Sequence, residues 1–157
     1  MTAESSPDRQ LRITNQIAIA WGGLALTAVL LSVFVMASRP WGCSAGNEST
    51  TVVCDWVTSR VIAVIWLTGG VAVCAISLKR RWLPLAVISL PMLAVSLISF
   101  FGVFALAPAA FWLASAFWGW AHGRRSSMVV SAVASVVLLY LAATGVIALL
   151  ALHSAPI

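Results

Sequence analysis

The sequence predicts an all-α integral membrane protein, a bundle of about five transmembrane helices with one disulfide-stapled outer loop. Hydrophobic residues make up 62% of the 157 residues and charged residues 8%, against about a quarter charged in soluble domains. The charges stand in short clusters at the ends of long uncharged runs. The polar stretches 1–14 and 39–60 are too short to bury a core of their own. One transmembrane domain over about 15–152 therefore accounts for the chain.

The first span is predicted over about 15–38, after a tail at 1–14. Thr14 or Asn15 can cap its free amides, and Pro40 cannot continue a helix. A secretory signal peptide cleaved near Ala37 is an alternative reading. The apolar run exceeds the usual length of a signal core, so we interpret it as the first transmembrane helix.

The second span is predicted over about 57–78. The part of the chain that follows it, up to Ala121, is long enough for two more spans. The uncharged stretch from Trp82 to Ala121 would reach about 60 Å as one helix, twice the hydrocarbon core of about 30 Å. It must turn back, and Gly102 and Pro108 favour a turn just before a new helix. The predicted spans are 83–101 and 108–122. The latter is short, and a re-entrant half-helix is the alternative to a full crossing.

The distribution of basic residues predicts the orientation. With five spans, the last over about 127–152, and a cytoplasmic N-terminus, seven basic residues lie inside and two outside, a positive-inside bias. Four spans would give five against four. The tail 153–157 is then extracytoplasmic. The clusters expected to contact inner lipid headgroups are Lys79, Arg80, Arg81, Arg124 and Arg125. This placement favours the lipid bilayer as partner, with no nucleic acid.

Two of the three cysteines fall in the predicted outer loop 39–56. A bridge between Cys43 and Cys54 would close a loop of 12 residues and stabilise the fold by about 3 kcal/mol on the chain-entropy model. A redox-active pair is the functional alternative. Active dithiols usually stand two residues apart at the start of a helix, so the spacing favours a structural bridge. Cys74 is predicted to be an ordinary apolar helix residue.

The spans lack the residues that most membrane enzymes and pumps use. No Asp, Glu, Lys or Arg lies at the centre of a predicted span, although moving protons or ions generally needs such groups. His122 and His153 are predicted at opposite boundaries and cannot ligate one haem. No metal-ligand spacing, phosphate loop or nucleophile elbow is present. We therefore expect no cofactor, no metal and no enzymatic activity.

Small residues at helical spacing are the positive signal for helix association. Ser127, Ser131 and Ser135 recur every four positions and form a flat stripe that permits close backbone approach. The stripe either binds a partner or packs inside the bundle. Trp66 and Trp112 lie near mid-span, where a buried indole N–H needs a partner. Each either bonds a neighbouring helix or lines a groove for a lipid or quinone.

We identify no family resemblance in these residues, so three functional hypotheses rest on the residues alone. The first is a non-catalytic membrane protein that associates with other membrane subunits or with itself, as an accessory subunit, assembly factor or stabiliser. The second is a small transporter or lipid-handling protein for uncharged cargo. The third is a membrane thiol-disulfide oxidoreductase using Cys43 and Cys54. The Arg-rich, Ala- and Val-rich composition favours a bacterial inner membrane.

Overall fold

The described residues form five α-helices and one short antiparallel hairpin. The structure, a computed structural model, describes residues 6–40, 42–45, 52–99, 102–121 and 125–154. The elements are α1 (Ser6–Ala37), β1 (Cys43–Ala45), β2 (Val52–Cys54), α2 (Trp56–Leu78), α3 (Trp82–Ile98), α4 (Val103–Trp120) and α5 (Arg125–Ser154). This is the all-α membrane bundle that the sequence predicts.

Four of the helices are long and apolar enough to cross a membrane, namely α1, α2, α4 and α5. The remaining one, α3, is apolar but has 17 residues, the lower limit for a crossing. Residues 108–120 of the predicted short span 108–122 belong to an 18-residue helix, Val103–Trp120, which has the length of a full crossing.

Helix α4 is the centre of the bundle. It packs against α1, α3 and α5, whereas α2 packs mainly on α1. Every residue from Ala107 to Ala116 is buried in α4. The alanines and the serine in this run let the neighbouring backbones come close. Trp112, 1% exposed, is the largest of the fully buried side chains.

Helix α1 begins well before the predicted start at Thr14 or Asn15. The Thr14 hydroxyl does not cap the helix and instead donates to the carbonyl of Leu11 at 3.0 Å, within the helix. Such a bond to the preceding turn is the usual way for a helical hydroxyl to be satisfied. The membrane-facing part of α1 is thus preceded by a helical extension that carries Asp8, Arg9 and Arg12.

The turn between α3 and α4 lies earlier than the sequence predicts. Gly102 caps α4, and a Cβ there would come within 2.3 Å of the Ser96 backbone, so the reversal requires glycine. Pro108 lies inside α4 and not in its first turn. It has no N–H to bond the Phe104 carbonyl, and the Ser32 hydroxyl of α1 reaches that oxygen at 2.8 Å. A serine on another helix thus satisfies the carbonyl that the proline frees.

Contacts at the end of α5 fix the relative direction of α1 and α5. The Arg39 guanidinium donates to the carbonyl of His153, and His153 Nδ1 lies 3.3 Å from the Ser38 hydroxyl. The C-terminal ends of α1 and α5 are therefore together, and the two helices run parallel. The start of α1 and the end of α5 lie at opposite ends of the bundle. We call the end of the bundle that carries Arg12 and Arg80 the basic end. The opposite end, next to Cys43 and Cys54, is the disulfide end.

Candidate functional site: the hairpin, the helix junctions and the basic end

The predicted disulfide joins the two strands of the hairpin. Cys43 and Cys54 face each other in the antiparallel register, and their sulfurs are bonded at 2.03 Å. The Asp55 amide extends the ladder by donating to the Gly42 carbonyl at 2.9 Å. The bridge thus closes the loop between Cys43 and Cys54 at its base, next to the start of α2.

Asp55 connects the hairpin to α2 as the N-cap of that helix. Its carboxylate accepts a hydrogen bond from the Thr58 amide at 3.0 Å. Hydrogen bonds from the Thr58 side chain and amide hold the pKa of Asp55 below its ordinary value. The charged form is therefore the one that caps α2.

Apolar side chains are exposed where the hairpin joins α2. Val53 on β2 is 63% exposed, and Val57 in the first turn of α2 is 74% exposed. Trp56 between them is 39% exposed. We call Val53, Trp56 and Val57 the hairpin base. It presents apolar surface beside the Cys43–Cys54 bridge.

The serine stripe of α5 faces the interior of the bundle. Ser131 is 2% exposed, and its hydroxyl donates to the Phe117 carbonyl of α4 at 3.0 Å. Ser135 accepts a hydrogen bond from the Trp118 indole at 2.8 Å. Ser127 is half-buried at the start of the same face. Of the two alternatives for the stripe, these contacts correspond to internal packing between α4 and α5.

A second set of hydroxyls joins α1, α2 and α4. Ser115 of α4 donates to the Ala18 carbonyl of α1 at 2.7 Å, and its hydroxyl lies 3.0 Å from that of Ser77 on α2. Gly22 of α1 leaves room for this pair, since a Cβ there would stand 2.6 Å from the Ser77 oxygen. We call Ser77, Ser115 and the Ala18 carbonyl the serine junction. The sequence identified neither its pairing nor its three-helix character.

The two mid-span tryptophans differ in their partners. The Trp112 indole donates to the Cys74 sulfur on α2 at 3.4 Å and is buried against a neighbouring helix. Its environment is the packed core and not a lipid or quinone groove. The indole nitrogen of Trp66 is also buried, and no described residue accepts its hydrogen.

The basic end carries exposed charge from two segments of the chain. Arg9 and Arg12 are exposed on α1, and Lys79, Arg80 and Arg81 are exposed in the α2–α3 turn. The sequence-predicted Arg124 and His122 lie outside the described residues, as does the side chain of Arg125.

An apolar cavity opens between α3 and α4 near the basic end. Its volume is about 420 Å³, within the range of small-molecule sites. The residues that line it are Trp82, Leu83, Ala86, Leu113, Ala116, Phe117 and Trp120. None of these side chains is charged, so the cavity suits an apolar occupant.

The described part of the chain contains no group of His, Cys, Asp and Glu residues that could hold a metal ion. No protein-family model, curated protein or solved structure matches this chain. The function is therefore argued from the arrangement of the chain's own residues.

Proposed function

We propose that the protein is a non-catalytic, multi-pass membrane protein that acts by association, as an accessory subunit, assembly factor or stabiliser of a membrane complex. The observation that carries the proposal is the hairpin base, an exposed apolar surface that adjoins the strands joined by the Cys43–Cys54 bridge. Exposed apolar patches on ordered segments commonly mark interaction sites. A disulfide also limits the conformational entropy that a loop loses on binding.

The interior serines do not supply the association surface, which must lie on the outside of the bundle. The serines at the α4–α5 contact and at the serine junction bond to neighbouring helices, so these polar groups contribute to packing. The outer faces of α2 and α5 carry large exposed apolar residues such as Ile65 and Val136. Such faces suit lipid or the helices of a partner.

We further propose a bacterial inner membrane as the location, with the N-terminus in the cytoplasm and the C-terminus outside. The Arg-rich, Ala- and Val-rich composition supports the location. The charge asymmetry supports the orientation, since the basic end collects the exposed arginines of α1 and of the α2–α3 turn. Cytoplasmic segments carry such an excess of Lys and Arg. The hairpin would then face the oxidising side, where disulfides persist.

The test is site-specific photocrosslinking of the full-length chain in intact membranes. A photoreactive residue at Val53 is compared with one at Leu78, which is similarly exposed at 68% but lies at the basic end of α2. We expect Val53 to crosslink to one defined membrane protein, or to a second copy of the chain. The crosslink should be lost in the variant that replaces both Cys43 and Cys54 by Ser.

Two results would remove the proposal. One is lipid adducts alone at both positions. The other is a protein crosslink at Val53 that survives without the disulfide and matches that at Leu78, because such a contact does not depend on the hairpin.

A second candidate function is lipid handling or transport of apolar cargo, favoured by the cavity between α3 and α4. Ala86→Phe would fill this cavity, and Ala75→Phe makes the same change at an exposed position of α2. Quenching of tryptophan fluorescence by a brominated phospholipid should fall in Ala86→Phe and stay unchanged in Ala75→Phe. Equal quenching in both variants would argue against an occupant of this cavity.

A further inference from the structure

A polar concavity lies at the basic end, between the start of α1 and the α2–α3 turn. Its volume is about 390 Å³. Arg12, Asn15 and Gln16 line it from α1, and Arg80 lines it from the turn. Asp8 is the carboxylate at this site, and the apolar members are Leu11 and Ile19. The concavity thus combines two guanidinium groups and two amides with a single acid.

Arg80 is held in an unfavourable backbone conformation. Its φ is 54°, and among the described residues no other non-glycine residue has a positive φ. The Arg80 amide donates to the Ser77 carbonyl at 3.0 Å, and the Arg81 amide donates to the Ile76 carbonyl at 3.2 Å. These two bonds define a Schellman motif, in which the residue at the Arg80 position is usually glycine.

The turn itself therefore gives no reason for an arginine. Glycine would adopt the same φ without the steric conflict of a Cβ. Residues kept in strained conformations concentrate at binding sites, where the side chain has a role that offsets the strain. The Arg80 guanidinium forms no ion pair with a described residue. Its charge is available to a ligand in the concavity.

We propose that this concavity binds the phosphate of an anionic phospholipid headgroup, with Arg80 as the principal donor and Asn15 and Gln16 as additional donors. Guanidinium groups match phosphate oxygens in geometry and charge. Leu11 and Ile19 are 43% and 37% exposed, so the ligand also meets apolar surface, as the glycerol and upper acyl chains of a lipid would provide. This inference does not depend on the association proposed above.

The test measures the affinity of the purified full-length chain for two lipids with identical acyl chains, phosphatidylglycerol and phosphatidylcholine. Each is titrated into detergent-solubilised protein, and the thermal midpoint reports binding. Arg80→Gln removes the proposed donor. Lys79→Gln is the matched control, since it removes the same charge from the adjacent residue, which does not line the concavity.

We expect the native chain to bind phosphatidylglycerol more tightly than phosphatidylcholine. Arg80→Gln should weaken the affinity for phosphatidylglycerol about tenfold or more, the effect of losing a hydrogen bond between charged groups. Lys79→Gln should weaken the same affinity about fivefold or less, the effect of losing one surface charge. Arg80→Gly should raise the midpoint without anionic lipid, because it relieves the strained φ, yet bind phosphatidylglycerol as weakly as Arg80→Gln.

Three results would overturn the inference. An equal loss of phosphatidylglycerol affinity in Arg80→Gln and Lys79→Gln would show only a general attraction between the basic end and anionic lipid. Phosphatidylcholine carries the same phosphate beside a choline cation, so equal affinity of the native chain for both lipids would show that the concavity does not select an anionic headgroup. Competition by glycerol phosphate at the affinity of the intact lipid would assign the concavity to a soluble phosphate instead.

Discussion

Replacing Ser115 by alanine tests whether the serine junction holds three helices together. The Ser115 side chain is fully buried, donates to the Ala18 carbonyl and pairs with the Ser77 hydroxyl. Alanine keeps the Cβ and removes only the oxygen, so the change leaves a minimal cavity. The lost stability therefore reports the interhelical hydrogen bonds.

The size of the effect follows from those two bonds. Interhelical hydrogen bonds in membrane proteins contribute on average about 0.6 kcal/mol and at most about 1.7 kcal/mol each. Two average bonds give about 1.2 kcal/mol. The freed Ser77 hydroxyl can turn to a carbonyl of its own helix, which limits the loss. We expect Ser115→Ala to lower the free energy of unfolding by about 1 to 2 kcal/mol.

The assay is reversible unfolding in mixed detergent micelles, followed by helical circular dichroism. Ser89→Ala is the matched control, because Ser89 is fully buried but its hydroxyl bonds only within α3, to the Ala86 carbonyl. A double-mutant cycle with Ser77→Ala should give a coupling of about 0.6 kcal/mol. Equal losses in Ser115→Ala and Ser89→Ala, with no coupling, would refute the junction as an interhelical contact.

Three further changes address other parts of the fold. Cys43→Ser should lower the thermal midpoint but preserve helical circular dichroism, because the bridge lies outside the bundle; a large loss of helix would contradict this placement. Ser131→Phe should cost about 1 to 3 kcal/mol by overpacking against α4, whereas Val133→Phe, at a position 63% exposed, should be near neutral; equal stability of both variants would place the stripe on the outside. Asp55 has a lowered pKa in the folded protein, so its stabilisation is complete above the unfolded pKa and is lost as pH falls through the folded pKa. Midpoints measured from neutral to strongly acidic pH should show this loss, and it should be absent in Asp55→Asn, which keeps an N-cap without the titration.

The sequence was informative wherever a local pattern determines the structure. Uncharged runs predicted the helices, and the placement of Cys43 and Cys54 in one polar loop predicted their bridge. Both depend on composition and on short separations along the chain. The same holds for the reversal between α3 and α4, where Gly102 was identified as a residue that loosens the backbone.

Details that depend on distant contacts were not predictable. Proline fits the first turn of a helix, which is why the sequence predicts a helix start at Pro108. An interior proline instead leaves a carbonyl that needs a donor from elsewhere. The donor is Ser32, on a different helix, and nothing near Pro108 in the sequence indicates it. The Ser77–Ser115 contact and the buried side of the Ser131 stripe are likewise fixed by packing. The strain at Arg80 had no sequence signal, because glycine is the usual residue at that position.

The decisive observation is the side of the membrane on which each terminus lies. Because α1 and α5 run parallel, the N-terminus and the C-terminus should lie on opposite sides. The measurement is protease accessibility of epitope tags at both termini of the full-length chain. It compares intact cells whose outer envelope has been removed (spheroplasts) with the same cells after lysis. With the basic end in the cytoplasm, the C-terminal tag should be cleaved in intact cells and the N-terminal tag only after lysis. Cleavage of both tags, or protection of both, before lysis would contradict the five-helix crossing.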